Sequence, residues 1–363
     1  MSCGSDGEGS GSGGNYGTGA TGSGGSSASG GFGATGATAG ASGSGPGGTD
    51  PGGSGGLGGS GGLGGSGGIG ATGGIAGSDG MGGTGVGGTG VGGSAGTACT
   101  AQPGGMISDY GARGPFAVTK VNNTGPSGQY TMFRPTDLNT GFKHPPVTWG
   151  NGLSTTPEAY IELLSTVASH GFVVIASNST GITAAQVKSG LDWLIQQNTT
   201  AGDFQGKLVV ECASAIGYSM GGGAAVTASA TSPSVKAIVA MHGLQASSSP
   251  NNAPLLLMTS TDDTFVTKAS NVQPTYNRAG AQQPAILATL DCPGAGMPTC
   301  ISIQGIAGHA IPLDNGHGDR APLVAWLRWW IYGDLGARGF FYGADCTLCK
   351  APWLDIQRKN HMW

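Results

Sequence analysis

From residue 130 onward, short unbroken apolar blocks alternate with longer stretches whose apolar positions recur at helical spacing. "FVVIAS" (172–177), "VKAIVAMHG" (235–243) and "PLLLMTST" (254–261) have the length and composition of strands buried on both faces. "YTMFRPTD" (130–137) predicts a strand ended by Pro135, "PPVTWGNG" (145–152) a strand running into a glycine loop, and "CASAIGYS" (212–219) a short strand. Between these blocks the period changes. Thr156, Pro157 and Glu158 supply a capping hydroxyl, a first-turn proline and an early acid. The helix they open keeps a stripe of Tyr160, Leu163, Leu164, Val167 and Ala168 until Gly171 stops it, with His170 at its dipole-negative end. Further helices are predicted over 184–197 and 221–230, then a last strand over 300–309 and a closing amphipathic helix over 320–333. This order implies an α/β fold: a mainly parallel sheet covered by helices on both faces, with its site at the carboxyl ends of the strands.

The first hundred residues follow a different rule. They hold 46 of the 76 glycines and no Lys or Arg; the first positive charge is Arg113. Lone aliphatic residues such as Leu57, Leu63 and Ile69 cannot bury enough surface to offset ~1–2 kcal/mol of backbone ordering per residue. Residues 1–97 therefore read as a disordered Gly/Ser/Thr-rich tether and 98–363 as a single α/β domain. A glycine-rich adhesive repeat is the rival for the tail, but its periods are short, irregular and fading.

A formal charge of −4 with no basic cluster argues against a nucleic-acid partner, and no apolar run approaches the ~18–20 residues that span a bilayer. The opening "MSCGSDGEGS" carries no apolar signal segment. Cys3, followed by a polar glycine-rich run, looks like the start of a mature bacterial lipoprotein whose signal has been replaced by Met1 and Ser2; the plain alternative is a stray cysteine. The expected location is secreted or cell-surface, with membrane attachment through a lipidated Cys3. The other six cysteines form an even set that favours disulfides, and Cys292 and Cys300 bracket a turn-rich loop that a local bridge closes; the pairing of Cys99, Cys212, Cys346 and Cys349 stays open.

Candidate chemistry centres on "GYSMG", Gly217 to Gly221. The G-x-S-x-G pattern alone carries nothing here, because it also matches around Ser54, Ser60, Ser66 and Ser94 in the tail. Ser219 differs: a strand leads into it and a helix leaves it, which is the context of a nucleophile elbow. The chain order Ser…Asp/Glu…His then places the acid in "TSTDDTFV", with Asp263 preferred over Asp262, and the base after the last strand, with His309 preferred over His317. The Met220 N–H and an N–H from Asn151 or Gly152 are expected to form the oxyanion hole; Trp149 and His242 are candidates to line the cleft. No standard metal-ligand spacing is met, so neither metal nor cofactor is expected.

On "RGPFAV", "TMFRPTD", "VASHGFVVIASNST" and "GYSMGGG", residues 110–335 resemble the bacterial cutinase-like polyester hydrolases, lidless α/β-hydrolases that include poly(ethylene terephthalate) hydrolases. The resemblance implies a Ser219–Asp263–His309 triad with Met220 and the Asn151 position as oxyanion donors, and places Leu244 and Asn151 where the family carries substrate-stacking aromatics. It also implies ester hydrolysis through an acyl-enzyme. Only a short connection follows the strand at 235–243, so an open site facing bulk solvent is expected, suited to polymeric or lipid-like esters. A monomer is expected. Dienelactone-hydrolase-like or chlorophyllase-like small-ester hydrolysis, acyl transfer, and an inactive surface binding module are the rivals.

Overall fold

The computed structural model describes residues 99, 107–296, 300, 306 and 308–360. The tail over 1–97, Cys3, and most of the strand expected over 300–309 lie outside the described residues; those described within 300–309 form no strand.

Nine strands form one sheet in the order β1-β2-β4-β3-β5-β6-β7-β8-β9. They are β1 (Val118–Thr124), β2 (Tyr130–Pro135), β3 (Pro146–Gly150), β4 (Val173–Ser177), β5 (Ala213–Tyr218), β6 (Val235–Met241), β7 (Leu255–Ser260), β8 (Ala285–Leu290) and β9 (Trp353–Lys359). The six strands from β4 through β8 pair in parallel, while β1, β2 and β9 add antiparallel margins. The helices are α1 (Ile161–Ser169), α2 (Ala184–Gln197), α3 (Met220–Ser229), α4 (Gln273–Asn277), α5 (Cys292–Ala295), α6 (His317–Tyr332) and α7 (Leu335–Arg338).

Two cores explain why the central strands read as unbroken apolar runs. Val239, Met241, Leu256 and Met258 face one way, against α1 and α6; Ile238, Ala240, Leu255 and Leu257 face the other, against α2 and α3. With a helix layer on each face, the period-two alternation of side chains meets hydrocarbon on both sides. The helix over 184–197 has the predicted bounds, and a capping box fixes its start: the Gln186 N–H donates to the Thr183 hydroxyl and the Thr183 N–H to the Gln186 side chain.

Three strands escape the sequence reading. β1 and β9 are half-exposed margins with mixed polarity. β8, "AILATL", which pairs in parallel with β7, is assigned no element by the sequence reading. Disulfides join Cys292 to Cys300, as expected, and also Cys99 to Cys212 and Cys346 to Cys349. His170 departs from its expected role as a cation at a helix end. It is fully buried beside the Ala112 carbonyl, and desolvation pulls its pKa down to about 4, so it is neutral near pH 7.

Candidate active site

β5 ends at Tyr218 and α3 begins at Met220, leaving Ser219 alone at the turn with φ 54° and ψ −123°. Backbone bonds pin that strained residue: its N–H donates to the Met241 carbonyl at 3.0 Å, and its carbonyl accepts from Gly222 at 3.0 Å and Leu244 at 3.0 Å. The turn is tight enough to require glycine on both sides. A Cβ at 217 would lie 2.3 Å from the Gly221 oxygen, and one at 221 would lie 2.0 Å from the Gly150 oxygen.

Asp263 follows β7 directly. Its Oδ1 accepts from the N–H groups of Val266 at 2.7 Å and Phe265 at 3.2 Å, which aims Oδ2 inward. His309 comes from the opposite loop, where the Gly308 carbonyl accepts the Ser260 hydroxyl at 2.9 Å. There His309 Nδ1 lies 2.8 Å from Asp263 Oδ2, and its Nε2 lies 3.0 Å from Ser219 Oγ. A carboxylate only accepts, so Nδ1 carries the proton and Nε2 presents a lone pair to the serine hydroxyl. That is the arrangement of a nucleophile, a base and an orienting acid. Asp262, the alternative acid, is the neighbour that does not join this chain of contacts, and His317 opens α6 instead of approaching Ser219.

Burial alone would raise the Asp263 pKa, but hydrogen bonds from His242 and His309 outweigh it and hold the carboxyl well below the usual range. Its charge at neutral pH is secure.

Ser219 is only 3 % exposed and floors a cleft of about 170 Å³, so the hydroxyl does not stand in bulk solvent as expected. The connection 242–254 between β6 and β7 nevertheless holds no helix or strand. The cleft walls are Leu153, Thr155, Tyr218, Phe265, Ile306 and Leu313. Leu153 is 53 % exposed and Phe265 59 % exposed, so two large apolar side chains flank the entrance. Phe265 also sits against the His309 ring, centroids 5.2 Å apart.

Four sequence expectations need correction. Trp149 is fully buried, packed on Tyr160 and donating its indole N–H to Asn151 Oδ1 at 2.8 Å; it does not line the cleft. Asn151 is fully buried too, its amide held by the Ser177 carbonyl at 2.5 Å, so the side chain of that loop which borders Ser219 is Leu153. Leu244 serves the elbow through its backbone N–H and is absent from the cleft lining. His242 is completely buried and reaches the Asp263 carboxylate from behind.

The matching family model is PET hydrolase-like, over residues 102–295, more than half of the 363 residues. The chain belongs to the PET hydrolase-like family. The matched span contains Ser219 and Asp263 and ends before His309, whose place the fold alone provides. No curated protein matches the chain. Membership carries the α/β-hydrolase fold and implies action on esters. His242, Asp263 and His309 also bring ligand-type atoms within 4.8 Å of one another, but both Nδ1 atoms already donate to the same Oδ2, which makes the group a hydrogen-bond network.

Proposed function

We propose that this PET hydrolase-like protein is a serine esterase that cleaves carboxylic esters through an acyl-enzyme, with polyester chains or other surface-displayed esters as substrates. The observation that carries this reading is the unbroken Ser219–His309–Asp263 contact chain, with links of 3.0 and 2.8 Å. As Ser219 Oγ attacks the carbonyl carbon, His309 Nε2 takes its proton, and Asp263 holds the resulting imidazolium in place. His309 returns the proton to the departing alkoxide. Water then enters by the same base and releases the acid.

The oxyanion needs N–H donors aimed at the carbonyl oxygen. Met220, first residue of α3, supplies one; no hydrogen bond occupies its N–H among the described residues. For the second, the Gly152 N–H is already taken by the Tyr160 hydroxyl at 3.1 Å; among the described residues no hydrogen bond occupies the N–H of Asn151 or of Leu153, and of these two we assign Leu153, which borders the cleft. Leu153 and Phe265 supply an apolar entrance for the chain on either side of the scissile bond.

Labelling by a fluorophosphonate probe that disappears in Ser219→Ala tests the nucleophile; an unlabelled wild type would leave the inactive-binder reading. Weight loss of aliphatic and aromatic polyester films, set beside p-nitrophenyl ester turnover, tests the substrate. The small cleft volume favours a second reading, a hydrolase of short soluble esters, which predicts turnover of the nitrophenyl esters and intact films. Three disulfides support an oxidising compartment outside the cytoplasm. On that basis we propose a tethered extracellular domain, with Cys3 lipidation checked by mass spectrometry of the exported protein.

A further inference from the structure

The triad does not end at Asp263. Behind it His242, completely buried at the end of β6 with φ 48°, places Nδ1 3.0 Å from the same Asp263 Oδ2 that receives His309. On its far side, His242 Nε2 lies 3.2 Å from Asp319 Oδ2. Asp319 is also completely buried, and its only ion-pair partner among the described residues is this ring. It sits in the first turn of the sixteen-residue α6, at the positive end of the helix dipole.

Each nitrogen of His242 therefore faces a carboxylate oxygen, and ionised carboxylates only accept. A neutral ring would set a lone pair against one of them and leave two buried carboxylates without a counter-charge, an expensive arrangement. We propose that His242 and Asp319 are positioning residues of the active site: a buried imidazolium bridges the carboxylates of Asp263 and Asp319, fixes the triad acid, and moderates the charge that His309 experiences. This rests on the esterase reading of Ser219, His309 and Asp263.

The groups that face His242 are Asp263, Asp319, the His309 ring at 5.9 Å and the Tyr218 ring at 6.5 Å between centroids. Burial pushes the Tyr218 hydroxyl far up, so it stays neutral. For His242 itself, burial lowers the pKa, but attraction to the Asp319 carboxylate, which stands 3.2 Å away without a hydrogen bond, and the hydrogen bond to Asp263 overcome it and raise it to about 9. The imidazolium thus spans the working range of a neutral-pH esterase. Its positive charge stands 5.9 Å from the His309 ring, between centroids, and opposes a second positive charge there.

The test has two arms. In the wild-type protein, the ¹⁵N resonances of His242 are expected to show both ring nitrogens protonated at pH 7, with release near pH 9. A neutral tautomer at pH 7 overturns the proposal, and this arm depends neither on a variant's folding nor on activity. In the second arm, kcat/KM for p-nitrophenyl butyrate is followed against pH in His242→Gln and Asp319→Asn. Each is expected to raise the acid-limb pKa by ~0.5–1 unit with KM little changed, and the double variant to move it no further than either single. Folded variants whose pH profiles superimpose on the wild type would reduce the pair to packing. A wild type that hydrolyses no ester defeats the esterase reading, while the resonance measurement still judges the bridge.

Discussion

Asp263→Asn isolates the electrostatic half of the proposed mechanism. The amide is isosteric, and its oxygen can keep the two N–H groups of Val266 and Phe265 that now bind Oδ1. The NH₂ then occupies the Oδ2 position, where two ring N–H groups arrive, from His309 at 2.8 Å and His242 at 3.0 Å. Donor against donor is repulsive, so His309 relieves it by moving its proton to Nε2. That tautomer points an N–H at Ser219 Oγ and cannot accept its proton. The expected loss in kcat is ~10³–10⁴-fold, about 4–5.5 kcal/mol of barrier, with KM nearly unchanged because Asp263 does not line the cleft. Asp262→Asn, one residue earlier and outside the contact chain, provides the control and should keep near-wild-type turnover. Initial rates on p-nitrophenyl butyrate over pH 6–9 decide it. An Asp263→Asn enzyme within tenfold of wild type would refute the assignment, as would a larger loss in Asp262→Asn.

Three further outcomes follow from the same geometry. Gly221→Ala puts a methyl 2.0 Å from the Gly150 oxygen, and should cost ~1–3 kcal/mol in urea melts; unchanged stability would show that the elbow is looser than the structure has it. Phe265→Ala removes an exposed cleft wall, so KM for long-chain esters should rise ~3–10-fold with kcat within twofold, while a matching kcat loss would place the ring's effect on His309. Stability should peak near pH 6.5. The His242 contribution is complete below the unfolded value of 6.5 and is lost as pH rises through about 9; neutral burial of His170 works on the acid side, where stability falls as pH drops from 6.5 toward 4. Each arm is worth at most ~3 kcal/mol. Melting temperatures from pH 4 to 10 check both, and a flat alkaline limb would contradict a charged His242.

The elements that patterning located are those whose burial is dictated locally. β4, β6 and β7 are apolar on both faces because helices cover both, and such runs have few other places to go. β8 was missed because "AILATL" is rich in Ala and Leu, which favour helix; a place between β7 and β9 makes it a strand. β1 and β9 carry the mixed polarity of half-exposed margins, a weak signal at any position.

By itself the sequence determined the elbow, since only glycines at 217 and 221 admit the approach of α3 to β3, and it determined the order in which serine, acid and base arrive. Those are properties of neighbours along the chain. Which side chains line the cleft is a property of side-chain direction at loop ends: Trp149 turns into the core, while Leu153 and Phe265 stand exposed. The contact between His242 and Asp319 joins the end of β6 to the first turn of α6, and no local pattern anticipates it. Charges so far apart in sequence become partners only when packing removes the water that would otherwise screen them, and that removal is the work of the tertiary structure.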